Sequence, residues 1–442
     1  MKRTKLPRRP LVTADGDGVV GHAGSALLHE LADRLGLTGA LSRALTPAFA
    51  GVRRHDPGAV LRDLAVMLAD GGDCLSDLCA LRDEPDLFGE VASDATAWRV
   101  IDRLQGIDFS ALHGARAEAR RRAWAQGMRP ERIVLDLDST LLTAHSEKEG
   151  ATPTFKRGFG FHPMVCTLDE TREALAGVLR PGNATANDAA DNLAVLDAGL
   201  AQLPSREAAE PILVRGDSAC ATYGFLNGVR ERELRFSVGF DLTAPVRDAV
   251  LALPESAWIP ALSQDGEERD GAEVAELTNL DLHKWPTGSR AICRREFPHP
   301  GAQLTFTDHN GYRFQVLLTD QPDRDVAFLE ARHRGHARVE DRIRCAKDTG
   351  LTNLPFREFG ANAVWLQLVL IATDLIAWAQ GVLLTGAAKN WEPKRLRYAL
   401  LHVAARLCRS GRRIYLRLQR SWRWSALLAA GFRRLRALPA SG

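Results

Sequence analysis

Three carboxylates stand out by type and setting. Asp138 closes the run "RIVLDLDST", Asp217 closes "PILVRGDS", and Glu340 lies in "RGHARVEDRIRCAKDTG" among arginines, a lysine and a histidine. The first two each follow a short stretch of branched apolar residues and precede a serine, the texture of an acid carried at the end of a β-strand. Side chains alternate along a strand, so Asp136 and Asp138 share one face while Ile133, Leu135 and Leu137 take the other. Carboxylates so placed suit a hard cation such as Mg²⁺, which binds oxygen and keeps several of its waters. Glu340 would add a third acid from a helix. At about 100° per residue, His333, His336, Glu340, Arg344 and Lys347 lie near one face, and Val339, Ile343 and Ala346 lie on another. The apolar face can pack on a sheet while the other presents acid and base together, the acid for a metal and the cations for the phosphates of one substrate. Taken singly, a strand-end Asp is as readily a turn or cap residue, and a helix with mixed charges is commonly an exposed one laced with ion pairs.

The elements that must position these residues follow from periodicity. Residues 24–104 carry apolar residues three and four apart and read as helices, with Ser93 or Asp94 as the N-cap of "SDATAWRVIDRL". That helix fits a DNA groove, and equally a small bundle used for packing. From Arg132 the texture changes to strand and turn. "RIVLDLD" is followed by "GFGFHPMVCTL" and "REALAGVLR" as an antiparallel pair, then by the helix "DAADNLAVLDAGLAQL", the strand "PILVRGD", the helix "YGFLNGVRER" and the strand "RFSVGFDL". The order strand-strand-strand-helix-strand-helix-strand is that of a ribonuclease-H-like α/β domain. No G-x-G-x-x-G joins a strand to a helix, which excludes a dinucleotide-binding dehydrogenase. Residues 243–311 interrupt the pattern with an acidic, Gly- and Pro-containing stretch. "SRAICRREF", "AQLTFTDHN" and "YRFQVLLTD" then suggest a β-meander with a turn at Asn310-Gly311.

Length and composition bound these readings. The chain has 442 residues, 45% hydrophobic and 26% charged, as expected of a folded protein of two to four units. The apolar run beginning at Ala361 is broken by Asn362, Gln367, Asp374 and Gln380, so it reads as a buried core helix and no membrane span is expected. The basic N-terminus precedes no apolar signal core, and a cytoplasmic location is expected. Seven scattered cysteines form no C-x-x-C pair, so neither a disulfide framework nor a zinc ribbon is indicated. The net charge of +3 hides an asymmetry: residues 387–442 hold fourteen Lys/Arg against Glu392, leaving the rest of the chain at −10. Such a tail suits a polyanion, or a helix face packed on the acidic remainder.

Two chemistries compete for the acids. "DLDST" fits the D-x-D-x-T strand of haloacid-dehalogenase-type phosphatases, with Asp136 as nucleophile and Asp138 as general acid. That family also needs a lysine further along, yet none occurs between Gly158 and His283, and Ala221 stands where a later Asp is required. The other chemistry has a closer match. Asp138, Asp217 and Glu340, on an interrupted ribonuclease-H-like pattern, resemble the DDE triad of bacterial insertion-sequence transposases, in the group with a β-rich insertion between the second Asp and the Glu. Their separations of 79 and 123 residues leave room for the insertion in the second gap. The group's signature Y-x2-R-x3-E-x6-K is met at Glu340 and Lys347, while His333 and His336 hold the Tyr and Arg positions.

The resemblance implies metal-dependent phosphoryl transfer on DNA. Two Mg²⁺ ions roughly 3.5 to 4 Å apart, for which Mn²⁺ would substitute, would be bridged by Asp138 and flanked by Asp217 and Glu340. Lys347, Arg344, Arg338 and Arg334 would contact backbone phosphates, and Trp285 would stack on a flipped base, although an ordinary buried Trp reads alike. The implied partners are double-stranded DNA, as terminal inverted repeats and target, and a second copy of the chain bound to it. The expected organisation is a helical DNA-binding region at 1–125 and a catalytic domain at 126–242 and 312–386. A β-rich insertion at 243–311 and a basic helical region at 387–442 complete it. A transposase-derived DNA-binding protein that no longer cuts is the second reading.

Overall fold

The computed structural model describes residues 11–49, 54–205, 210–298 and 308–440. Helices α1 (Ala26–Arg34), α2 (Leu37–Leu45), α3 (Pro57–Asp70) and α4 (Asp94–Arg103) come first, within residues 24–104 where helical periodicity was read, and α5 (Ser110–Ala123) follows in the region expected to be helical. Asp56 caps α3 by accepting the Ala59 N–H at 2.9 Å, Pro57 occupies its first turn, and Gly71 ends it at φ 111°. At α4 the cap is Ser93, whose hydroxyl accepts from the Thr96 N–H.

A nine-stranded sheet carries the rest. Strands β1 (Val134–Ser139), β2 (Met164–Leu168) and β3 (Ala174–Val178) are antiparallel neighbours, followed by helix α6 (Ala189–Ala201). β4 (Leu213–Gly216) lies parallel to β1 on its other side. Helix α7 (Tyr223–Glu231) then leads to β5 (Arg235–Phe240), parallel to β4. This is the ribonuclease-H-like order expected from the sequence. After α8 (Ala244–Leu251) come β6 (Ile259–Leu262), β7 (Glu268–Glu276), β8 (Arg290–Glu296) and β9 (Arg313–Thr319).

Of these strands β8 and β9 were expected, as parts of a β-meander, while β6 and β7 lie in the stretch read only as acidic and containing Gly and Pro; all four extend the central sheet. β9 pairs antiparallel with the edge of β5, giving the order β6-β7-β8-β9-β5-β4-β1-β2-β3. An open strand edge offers unpaired N–H and C=O groups, and β9 satisfies those of β5. The Asn310-Gly311 turn forms as expected, with φ of 50° and 82° and His309 and Tyr312 exchanging backbone hydrogen bonds of 2.9 Å. Most of the expected strand "AQLTFTDHN" lies outside the described residues.

Helices α9 (Val326–Arg334) and α10 (Arg338–Ala346) are joined by the tight turn Gly335–Ala337, and the wide turn Lys347–Leu351 follows. α11 (Phe359–Trp378) begins an apolar helical run to Leu383 that is mostly buried inside the molecule, the core helix its interrupted hydropathy suggested. The basic C-terminal region, expected to be helical, includes a β-hairpin, Ala405–Ser410 with Arg413–Leu418, before α12 (Ser425–Ala437). The alternation explains the hairpin. Ala405, Leu407, Leu416 and Leu418 pack towards Val20, Arg406, Arg413 and Arg417 take the other face, and Gly411 makes the turn at φ 59°.

Candidate active site

β1 and β4 run parallel, with Asp136 in register with Arg215. Two positions further on, that register brings Asp138 level with Asp217, so the two acids emerge side by side at the same end of the sheet. Asp217 also caps the short turn Ser218–Cys220, accepting the Ala219 N–H at 3.1 Å. A Cβ on Gly239 of β5 would stand 2.8 Å from the Ser218 nitrogen, so a glycine there lets this turn lie against the sheet. The third acid arrives by packing. Val339 and Ile343 of α10 cluster with Val165, the register partner of Asp138 on β2. Glu340, on the open side of the same helix, is thereby carried to the other two.

The electrostatics follow from this proximity. Burial pushes the Asp138 carboxyl up to about 6, and the neighbouring Asp217 and Glu340 carboxylates push the same way. The Ser139 N–H, 2.7 Å from Asp138 Oδ1, and the nearby His336 oppose the shift. Lys347, half-buried, has its pKa lowered chiefly by burial, with Asp138 acting to raise it and Lys156 to lower it. Three crowded carboxylates, one of them resisting ionisation, fit a divalent cation, which would relieve their repulsion.

Beneath them lies a network that the sequence did not disclose. Arg215 holds Asp136 in a two-pronged ion pair, both contacts 2.8 Å, and Asp136 Oδ1 lies 2.8 Å from Nδ1 of His336. Arg215 also reaches Asp169 at 2.8 Å and donates to the Arg332 carbonyl at 2.6 Å. Asp169 in turn binds Arg338. A Cβ on Gly335 would lie 2.5 Å from the Arg215 guanidinium, so the α9–α10 junction is open there for this side chain. The one signal was an arginine inside the apolar strand "ILVRGD", since a buried guanidinium requires a partner. Asp136, 1% exposed and doubly engaged, is not placed to act as the phosphatase nucleophile.

The four expected phosphate ligands separate. Lys347 is brought to the carboxylates. Arg338 is paired with Asp169 at 2.7 Å, and Arg344 with Asp341 at 2.8 Å and Glu392 at 3.0 Å. Arg334 pairs with Glu330 at 3.4 Å and donates to the Leu262 carbonyl. It also lines a cleft of about 460 Å³ that opens beside Asp217 and includes Phe240, Arg294, Gln315 and His333. His333, at the signature's Tyr position, lies 3.0 Å from the Ser237 hydroxyl, and burial drives its pKa down to about 3. Trp285 is half-buried, with its ring centroid 4.3 Å from Tyr223 and 5.3 Å from Phe240. Lys156, on the loop before Phe159–Phe161, is a cation near Lys347 that sequence reasoning passed over.

No curated protein matches the chain. Among solved structures, a chain of the piggyBac transposase synaptic complex with hairpin DNA, determined by cryo-EM, is similar at 10% identity and a TM-score of 0.43. The likeness covers 86% of this chain and 80% of that one, and at such a distance it carries nothing about substrate. The family model described as "Transposase DDE domain group 1" matches residues 4–440, nearly the whole chain. With the three acids gathered at one end of a ribonuclease-H-like sheet, the chain belongs to the DDE transposase family.

Proposed function

We propose that the protein cuts DNA at the terminal inverted repeats of an insertion sequence and joins the freed 3′ ends to target DNA. The observation that carries this reading is the convergence of Asp138, Asp217 and Glu340, from three distant segments, with Lys347 beside them. Asp138, Asp217 and Glu340 would hold Mg²⁺, or Mn²⁺ in its place, which supplies Lewis-acid activation of the attacking water or 3′-hydroxyl and offsets charge on the leaving oxygen. Lys347 would hold the phosphate next to the scissile bond, a contact that positions without reading sequence. The Arg215–Asp136–His336 network fixes α10 against β1 and so keeps Glu340 aimed at its partners. Trp285 and the exposed Tyr223, which follows Asp217 closely in the chain, form an aromatic ledge suited to an unpaired base. The N-terminal helices and the basic hairpin would grip the duplex, and joining two ends calls for two copies of the chain on DNA. The protein would act in the cytoplasm, on the chromosome.

The test is cleavage of a labelled duplex bearing the element's own terminal repeat, with Mg²⁺, Mn²⁺ or EDTA, by the wild type and by Glu340→Gln. Nicking at the repeat end that needs metal and disappears in the variant is expected. Specific binding with no nicking by either protein would replace this reading with a DNA-binding protein that does not cut. Activity confined to small phosphate esters would revive the phosphatase.

A further inference from the structure

His22, Asp70 and His402 meet away from the catalytic carboxylates, with one potential ligand atom from each lying within 4.8 Å of the others. Nδ1 of His22 is 2.5 Å from one Asp70 carboxylate oxygen, and Nε2 of His402 is 3.3 Å from the other and 2.7 Å from the Asp70 carbonyl. The Asp70 side chain is 5% exposed, whereas those of His22 and His402 are 37% and 41% exposed, so the cluster has a buried anion with an open mouth. Asp70 is the last residue of α3, where the helix dipole is negative and a carboxylate calls for positive charge. Arg397 is close, but its guanidinium donates to the carbonyls of Leu68, Ala69 and Asp348. The two imidazoles are thus the groups turned to the carboxylate.

We propose that His22, Asp70 and His402 form a Zn²⁺ site that staples the N-terminal strand and the root of the C-terminal hairpin to the end of α3. Two imidazole nitrogens and one carboxylate oxygen, with water completing a tetrahedron, make a donor set that zinc accepts and that Mg²⁺ does not favour. Ligands at about 2.0 to 2.1 Å on a tetrahedron stand about 3.3 Å apart, the spacing already present between His402 and Asp70. His22 Nδ1 now touches the other carboxylate oxygen, so its part-exposed ring would swing towards the ion, for which it has room. The Ser25 hydroxyl donates to the Asp70 carboxylate and would orient it, as outer partners of metal ligands do. The location gives the ion a role: His22 follows the strand Val19–Val20, His402 precedes Ala405, and these two strands pair.

The full chain, held in excess Mg²⁺ to occupy the catalytic acids, is titrated with Zn²⁺ by calorimetry and with Co²⁺ by visible absorption. One equivalent of Zn²⁺ is expected, with a tetrahedral Co²⁺ spectrum and a raised thermal midpoint. Asp138→Ala should retain that binding, and His22→Gln and His402→Gln should each weaken it about tenfold or more. The part-exposed His22 variant, checked by circular dichroism and by melting in EDTA, separates loss of ligand from loss of fold. The absence of Zn²⁺ binding would mean that the cluster is held by histidine protons alone and would overturn the proposal. Binding that persists in both histidine variants, or vanishes in Asp138→Ala, would overturn it as well. None of these outcomes depends on whether the protein cuts DNA.

Discussion

Asp138 shows what a single residue brings to the site and what it costs. Its carboxyl titrates near 6 in the folded chain against an ordinary value of 3.8, because burial and two facing acids oppose its charge. The raised value means that the folded state binds this proton more tightly than the unfolded state. Without metal, stability should therefore fall as pH rises from about 4 to about 6, by about 3 kcal/mol in all. Asp138→Asn removes the ionisation and should flatten that part of the profile, while Mg²⁺ should restore stability to the wild type above pH 6. Urea unfolding in EDTA across this range checks the point, and parallel profiles for the two proteins would put Asp138 in ordinary solvent. The acids were legible in the sequence because each ends a strand or faces away from a helix's apolar side, both local properties. Arg215 was not, since its partners Asp136, Asp169 and the Arg332 carbonyl are set by sheet register and by the turn before α10. The partners that Asp169 and Glu392 offer to Arg338 and Arg344 were hidden for the same reason, whereas the pairs Arg334–Glu330 and Arg344–Asp341 lie within single helices at spacings that the sequence shows.

Among the elements, the C-terminal hairpin departs furthest from expectation and offers the sharpest test. Charge in the tail was plain from composition, but the strand alternation was masked by arginines that read equally well as a polar helix face. On the solvent face Arg406 stands directly across from Arg417, with Arg413 and the exposed Tyr415 beyond. Like charges opposite each other are unfavourable in a sheet, and a row of phosphates would relieve them. Deleting residues 387–442 would not isolate this effect, because Leu396, Leu400, Leu428 and Leu435 are buried and Arg397 caps α3. Replacing Arg406 and Arg417 together with Gln is the cleaner change. DNA affinity should drop, and the slope of log K against log salt should become shallower by about 2. An unchanged slope, with DNA still bound, would make the hairpin a packing element. The strands β8 and β9 teach a related lesson: their existence was readable, but their destination was not, since the free edge of β5 exists only in the assembled sheet.

Across the whole molecule, the expected division at residue 125 meets a network that stitches the two sides together. Arg116 and Arg120 of α5 enter the protein fully buried, where both bind Asp374 of α11, at 2.8 and 2.7 Å. Arg120 also holds Glu173 at 2.9 Å, and Glu173 accepts from the indoles of Trp124 and Trp378. The second Asp374 oxygen takes the Ala174 N–H at 2.9 Å, fixing the start of β3. The sequence marked α11 as a core helix and the region of α5 as helical, but it could not pair Arg116 and Arg120 with an aspartate 258 and 254 residues away. Two guanidiniums sharing one carboxylate have no water to fall back on, so Asp374→Asn leaves charge buried and under-compensated. A loss of about 3 to 5 kcal/mol is expected, read from urea unfolding. Because the network spans both sides, the N-terminal helices and the sheet should still unfold in one transition, seen alike by circular dichroism and tryptophan fluorescence. A change below about 1 kcal/mol would mean that the guanidiniums find other partners, and two separated transitions would make residue 125 a boundary between independently folding units. The coupling bears on function, since the helices that would grip DNA are thereby rigid with respect to the acids that would cut it.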